Sequence, residues 1–476
     1  PVGGRTPLRY VRQTTSEPTC RSRPYVHMTE ITLLPPDGKD DYTEQITPES
    51  YLRTLSPAGF LVRLPKDATP ASARELGHLL SHKERKHFSS DVRIEAPDVT
   101  EGLVQEFIGG LKLGSYSAGQ RKGDHEAHPL ADGTFQYIGE TEKNLILSDV
   151  QNRVRALVDA PANKKRAQDL AAWAIESGKT YDYKVRVLDK AACEQEGLHA
   201  LLAVNRGSED PAVLIVMEYR GGAQEEDLTA IIGKGVTFDT GGVSIKGSQN
   251  LHLMKSDMGG AAATFGAVEA AARLKLPVNL VGIVPATDNS VDALSIKPSD
   301  VIESHAGKTI EIIDTDAEGR LIMADGLSYA IKHFSPTTLI DVATLTGSAV
   351  RTFGYVCAAT LSKNEELVEQ FRRAGDACGE RVWPLPPWDD FAKGLESDVA
   401  DVKNFSGNPL HGATDAFKFL ENFTHGHERY IHFDIAGVAL KQGPFAKDRQ
   451  ATGYGVRLFV EWLQGQTARN ESSSSR

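Results

Sequence analysis

Three carboxylates and a guanidinium crowd a single turn, Asp314 to Arg320, within the run Ile310-Glu311-Ile312-Ile313-Asp314-Thr315-Asp316-Ala317-Glu318-Gly319-Arg320-Leu321. The run reads as a short buried strand, a turn and the start of a helix. Asp316 and Glu318 stand two apart, which is wrong for sharing a helix face but suits a loop that clasps one ion. Acidic side chains this close repel one another unless positive charge sits among them. A divalent metal answers that need, and hard oxygen ligands suit Mg, Mn or Zn. The alternative is an acidic helix N-terminus stabilised by the helix dipole. This run alone leaves both readings open.

A second stretch lies upstream: Gly233-Lys234-Gly235-Val236-Thr237-Phe238-Asp239-Thr240-Gly241-Gly242-Val243-Ser244-Ile245-Lys246-Gly247-Ser248, followed by Met254-Lys255-Ser256-Asp257-Met258-Gly259-Gly260. Together the two stretches closely resemble the leucine aminopeptidase family, the hexameric two-metal exopeptidases of the cytosol. The family run Asn-Thr-Asp-Ala-Glu-Gly-Arg-Leu stands here with Asp314 in first place and the other residues intact. The resemblance extends from about Leu145 to Leu463.

That resemblance implies a ligand set of Lys234, Asp239, Asp257, Asp316 and Glu318 around two divalent ions, Mn or Zn, with Mg or Co as alternatives. Asp239 and Glu318 would bridge the ions. Asp257 and the neutral Lys234 amine would complete the tighter site, and Asp316 the looser one. Four carboxylates would balance two dications, as a buried site requires. Without the motif, Lys234 would read as a surface lysine at a strand end. By the same resemblance Lys246 is the electrophile that stabilises the tetrahedral oxyanion. Arg320 holds a bicarbonate that acts as general base on a bridging water, as a guanidinium fork suits a planar oxyanion. The sequence alone reads Arg320 equally as a salt-bridge partner of an acid such as Asp314. Met254 matches a position lining the substrate side-chain pocket, although a core-packing methionine has the same appearance. Thr344, Leu345 and Gly347 match the strand that pairs with the substrate backbone. The implied reaction releases N-terminal, leucine-like residues from peptides, in the cytoplasm. Asp314, Thr240 and Gly247 depart from the family's usual Asn, Ser and Pro, and Asp314 adds a charge beside the metals.

The elements that position these residues alternate strand and helix. Val213 to Met217 and Thr229 to Ile232 are apolar runs of the kind buried on both faces of a sheet. Val278 to Val284 and Thr338 to Ala343 read as strands. Helices are expected at Ala261–Leu274, Leu321–His333, Asp415–Phe423 and Gly455–Leu463. This pattern predicts an α/β protein whose larger C-terminal catalytic domain, 163–464, holds a mostly parallel sheet covered by helices. Ligands gather beyond the carboxyl ends of such strands, and Lys234 and Asp316 each follow one. A smaller α/β domain is expected over 28–148, with a strand at Gly59–Leu64, helices at Ala71–Ser81 and Leu103–Leu113, and a strand at Asn144–Leu147. A linker helix over 149–162 follows. Residues 1–27 carry five arginines and one acid, and read as a transit-like or artificial leader before Met28. The serine-rich tail, 465–476, reads as disordered.

With 476 residues and 40% hydrophobic content the chain can bury a large core. A net charge of −11 argues against the rival class, a non-catalytic or DNA-binding member of the family, and no basic stripe stands out. No run has the length of a membrane span. Cys20, Cys193, Cys357 and Cys378 lack metal-ligand spacing and suggest free thiols. His125-Glu126-Ala127-His128 and His427-Glu428 lack the His-Glu-x-x-His spacing and read as solvated polar residues. Gly307-Lys308-Thr309 lacks the first glycine of a phosphate loop, because Ile302 stands there. No Gly-x-Ser-x-Gly elbow is present.

Overall fold

The computed structural model describes residues 28–36, 51–55, 58–118, 121–123, 125–224, 227–443 and 447–474. The expected leader, 1–27, and Cys20 lie outside these. The chain divides into two compact units, Pro1–Ser148 and Asp149–Arg476.

In the first unit five strands run in the order Tyr51–Leu55, Ala58–Arg63, Thr29–Leu34, Asp91–Glu95, Thr134–Gln136. Thr29–Leu34 alternates buried and half-buried residues, as a strand covered on one face does. Its core residues Ile31 and Leu33 pack with Val104, Phe107 and Leu111 of the helix Glu101–Gly114.

The second unit is built on one large sheet. Its strands lie in the order Val382–Pro384, Ala358–Leu361, Tyr430–Asp434, Thr338–Ala343, Leu228–Gly233, Asn279–Asn289, Val213–Arg220, Lys184–Leu188. The central four, from Tyr430–Asp434 to Asn279–Asn289, are mutually parallel. Antiparallel strands flank them on both sides. Every residue of Leu228–Gly233 and Thr338–Ala343 is buried, so both faces of the sheet are covered. Along Asn279–Asn289 the side chains alternate. Val281 and Ile283 join the cluster formed by Leu321, Ile322 and Leu327 of the helix Glu318–Phe334. Gly282 faces Thr264 and Val268 of the helix Gly259–Arg273 instead. The two helices therefore lie on opposite faces. Each fully buried leucine or isoleucine in this layer contributes about 1.5–3 kcal/mol relative to exposure.

Three expectations are corrected. Asn144–Leu147 is not a strand but part of one helix, Glu142–Asp159. Its buried residues Leu147, Val150, Val154 and Val158 recur at helical spacing, so the apolar run opens the helix that the later residues continue. The tail from Gly465 is not irregular throughout, because the helix Val456–Ser474 carries through most of it. Its polar composition does not interrupt the hydrogen-bonded ladder. His128 is not solvated: it is buried, its Nδ1 accepts from the Leu130 N–H at 3.0 Å, and its Nε2 lies 2.9 Å from the Ser81 carbonyl.

Burial lowers the His128 pKa from 6.5 to about 4, assisted by the charges of Arg85 and His82 and opposed by the Ser81 carbonyl. The folded chain thus holds a neutral ring where the unfolded chain binds a proton. The resulting stability is complete above pH 6.5 and is lost as pH falls towards 4, amounting to on the order of 3 kcal/mol. Unfolding free energies of wild type and His128→Gln, measured from pH 7 to 4, should diverge in slope. Parallel pH dependences would show that His128 does not carry this term.

Candidate metal centre

The site residues collect beyond the carboxyl ends of the parallel strands. Lys234 directly follows Leu228–Gly233, and its N–H donates to the Val342 carbonyl on the neighbouring strand at 3.1 Å. Asp239 ends the short strand Gly235–Asp239, which pairs in parallel with the far end of Asn279–Asn289 and sets Asp239 beside Asn289. The Asn289 amide then donates to Asp239 Oδ1 at 2.8 Å, and the Gly241 N–H does the same at 2.8 Å. Gly241 and Gly242 adopt φ of 88° and 63°, a region that residues with a Cβ enter at a cost. This turn sends the chain back so that Lys246 faces Asp239. Asp257 closes a single 3₁₀ stretch, Leu251–Ser256. Glu318 opens the helix Glu318–Phe334, and Asp316 lies in the turn before it.

Thr315 ties the two loops together. Its hydroxyl donates to the Gly241 carbonyl and accepts from the Ser244 N–H, both at 2.8 Å. Asn289 reaches the same turn through the Thr315 carbonyl at 3.1 Å.

Two ammonium groups meet four carboxylates here. Lys234 Nζ lies 2.7 Å from Asp257 Oδ2, 2.8 Å from Glu318 Oε1 and 3.2 Å from the Thr344 carbonyl. Lys246 Nζ lies 2.8 Å from Asp239 Oδ2 and also pairs with Asp316. Asp239, Asp316 and Glu318 present oxygens all within 4.8 Å of one another. Glu318 therefore belongs both to that triangle and to the group around Lys234.

Positive charge is short in this cluster. Burial drives the Asp257 carboxyl well up, with Glu318 and Asp239 adding to the effect and Lys234 opposing it. Burial likewise raises Asp316 to about 7, reinforced by Asp239 and opposed by Lys246. Glu318 shifts in the same direction, first through burial and then through Asp239. For Lys234, burial favours the neutral amine, but Asp257, Glu318 and Asp239 outweigh it and hold the ammonium above the ordinary lysine range. Lys246 follows the same balance with Asp239, Glu318 and Asp316. Glu318 Oε2 is buried without a hydrogen-bond partner. A divalent cation meets each of these needs, and a donor set of carboxylate oxygens with one amine suits Mn or Zn.

Arg320 lies in the first turn of the helix and is buried. Its partner is not Asp314. One Nη donates to Asp415 Oδ2 and to the Asn404 carbonyl, each at 2.8 Å, while Nε is buried with no partner. Asp314 Oδ1 instead accepts from the Asp316 N–H at 2.9 Å. That bond shapes the turn.

Thr344 belongs to the cluster, because its hydroxyl donates to Asp257 Oδ1 at 2.8 Å. Leu345 donates its N–H to Asp434 Oδ1 at 3.2 Å. Gly347 is exposed and starts the helix Gly347–Phe353. Met254 is half-buried and joins the site through its carbonyl, which accepts from the Asp257 N–H at 3.2 Å. Asn289, Thr315, Asn404 and Asp415 were not singled out by the sequence.

The family model described as cytosol aminopeptidase family, catalytic domain, matches residues 152–460. A probable cytosol aminopeptidase of Chlorobaculum tepidum is 46% identical over 323 residues, covering 68% of this chain and 64% of that protein. The chain thus spans under two-thirds of the length of that relative. One of Geotalea uraniireducens is 38% identical over 408 residues, covering 83% of this chain and 79% of that protein. The solved structure of the bottromycin maturation enzyme BotP in complex with Mn superposes with a TM-score of 0.82 at 27% identity, covering 93% of this chain and all of that one.

Gly319 is where this geometry is most easily broken. A Cβ placed on it would sit 2.6 Å from Lys234 Nζ and 2.8 Å from its Cδ. Gly319→Ala should therefore push Lys234 out from between Asp257 and Glu318 while leaving the helix intact, since alanine favours helix over glycine by about 1 kcal/mol. Expected are an unfolding midpoint near wild type and affinity for added Mn²⁺ weakened about tenfold or more, which is about 1.4 kcal/mol. Unchanged Mn²⁺ affinity in calorimetry would show that Lys234 is not needed where it stands.

Proposed function

This chain belongs to the cytosol aminopeptidase family, and we propose that it is a metal-dependent aminopeptidase releasing N-terminal residues, apolar ones by preference, from peptides. The observation that carries this reading is the convergence of four carboxylates and two lysines on the carboxyl edge of the sheet. Asp239, Asp257, Asp316 and Glu318, with the Lys234 amine, would hold two divalent ions, for which the Mn in the BotP structure is a precedent. Bound there, the ions would supply Lewis acidity and activate water near neutral pH, and a bicarbonate held by Arg320 would supply a general base.

The chain's own groups divide the remaining work. Lys234 is held as an ammonium by its three carboxylates, so it becomes a ligand only by giving up its proton, and metal binding should release one. Lys246 stays charged against Asp239 and Asp316. Its side chain is 24% exposed where that of Lys234 is 4% exposed. It is the donor free to meet the oxygen on which negative charge develops. The Leu345 N–H is committed to Asp434, so its carbonyl is the group offered to a substrate N–H. Thr344 and Gly347 flank Leu345 between the end of the strand Thr338–Ala343 and the helix Gly347–Phe353, and Met254 would border the side-chain pocket.

Exopeptidase action rests on recognition of a free α-amine at this acidic centre. A panel of aminoacyl amides, each free and N-acetylated, tests it. Free leucyl and methionyl amides should be cleaved and their acetylated forms left intact. Comparable turnover of acetylated substrates would make the enzyme an endopeptidase.

The two lysines should separate in mutagenesis. Lys246→Ala should keep bound metal near wild type and lower kcat on the order of 10²–10³-fold, the typical loss for one oxyanion donor. Lys234→Ala should lose metal, and excess metal should restore part of its activity. Metal per chain, measured beside kcat at saturating metal, decides the assignment. Loss of metal in Lys246→Ala with retention in Lys234→Ala would reverse the two roles.

A further inference from the structure

At the opposite end of the helix Glu318–Phe334, a second group of ligand-type side chains comes together. Three elements contribute: Glu196 from the end of the helix Lys190–Glu196, His305 from the loop after the strand Val301–Glu303, and His333 from the last turn of Glu318–Phe334. One ligand atom from each lies within 4.8 Å of the others. His305 Nε2 is 3.2 Å and His333 Nε2 is 2.7 Å from the same Glu196 Oε1. Lys332 Nζ also reaches that oxygen, at 2.7 Å. His333 lies fifteen residues beyond Glu318, about 22 Å away at 1.5 Å per helical residue. The group is thus separate from the carboxylate centre.

We propose that Glu196, His305 and His333 form a further cation site, for Zn²⁺ or a similar transition-metal dication, which takes the place of the Lys332 ammonium on Glu196.

Four features support it. The chemistry is right, since two imidazoles and a carboxylate are a set that binds Zn²⁺ with water in the fourth position. The spacing is close, because tetrahedral ligands at about 2.0–2.1 Å from zinc stand roughly 3.3 Å apart. The His305–Glu196 pair already meets that figure. The His333–Glu196 pair must widen by about 0.6 Å for such a geometry, and the His333 side chain is 31% exposed and can give. His305 is oriented in advance: its Nδ1 lies 2.9 Å from Ser328 Oγ and its backbone N–H donates to Asp325 Oδ1 at 2.8 Å. This holds Nε2 towards the site, as outer hydrogen bonds do for metal-binding histidines. Finally, the last turn of a helix favours a cation through its dipole, and His333 borders a surface cleft that Arg186 and Glu218 also line.

The test uses the full chain, stripped with chelator and reloaded with Zn²⁺. His333→Ala, whose side chain is partly exposed, should bind one zinc fewer per chain than wild type by plasma emission. Lys332→Met removes the competing ammonium and should tighten zinc binding several-fold at this site. An ion-pair cluster without a metal role would give a different result, because losing Lys332 would then leave zinc binding unchanged. Equal zinc content in His333→Ala, or no tightening in Lys332→Met, overturns the proposal. Neither residue belongs to the aminopeptidase centre, so failure here leaves that reading intact.

Discussion

Negative charge out of water is the constraint on which this structure turns. Asp239, Asp257 and Glu318 are buried, and Asp316 is partly so. A single ionised carboxylate in such a place is costly, and several together are worse. Two ammonium groups relieve part of that cost and leave a deficit of positive charge. The fold makes the cluster tolerable by rigidity. Parallel strands end together, the Gly241-Gly242 turn folds one loop over the other, and Thr315 fastens the two. The strand ends also leave Lys234 no room to move, because its backbone is hydrogen bonded into the sheet and Gly319 packs against its side chain. A centre prepared in this way loses little entropy when it takes up cations.

The helix Glu318–Phe334 connects that constraint to the core. Its first turn supplies Glu318 and Arg320. Its middle buries Leu321, Ile322, Met323 and Leu327 against the sheet. Asp325, in the same buried stretch, accepts the backbone N–H groups of Leu201 and His305, and burial raises its pKa to about 7 against those bonds. One element therefore fixes the metal centre at one end and the Glu196–His305–His333 group at the other. The hydrophobic packing between them keeps either end from sliding without the other.

Much of the site was legible because its chemistry is local in sequence. Lys234, Asp239 and Lys246 fall within one loop and its flanks, and Asp316, Glu318 and Arg320 within a single turn. The central strands were legible because strands buried on both faces are continuous apolar runs. What remained hidden depends on contacts across the chain. Asp415 lies 95 residues from Arg320 and Asn289 lies 50 from Asp239, and no spacing rule links such pairs. The Asn144–Leu147 reading failed for a related reason. Four apolar or amide residues in a row suit a strand or a buried helix turn equally, and only the continuation to Val150 and Val154 decides. His128 was misjudged because its surroundings in sequence are polar, whereas its surroundings in space are Phe88, Ser81 and Leu130.

Asp314 shows how a departure from a family pattern can be harmless to the fold and still matter to the chemistry. Its backbone carbonyl accepts from the Asn404 amide at 2.6 Å, and its Oδ1 accepts from the Asp316 N–H at 2.9 Å. An asparagine in its place offers the same oxygen to the same N–H, so the turn does not distinguish the two. The distinction is a unit of charge, two residues from Asp316. An added carboxylate strengthens the negative field at this end of the sheet. The consequence of Asp314 therefore lies in that charge rather than in the shape of the turn, because the hydrogen bond that builds the turn is common to both residues.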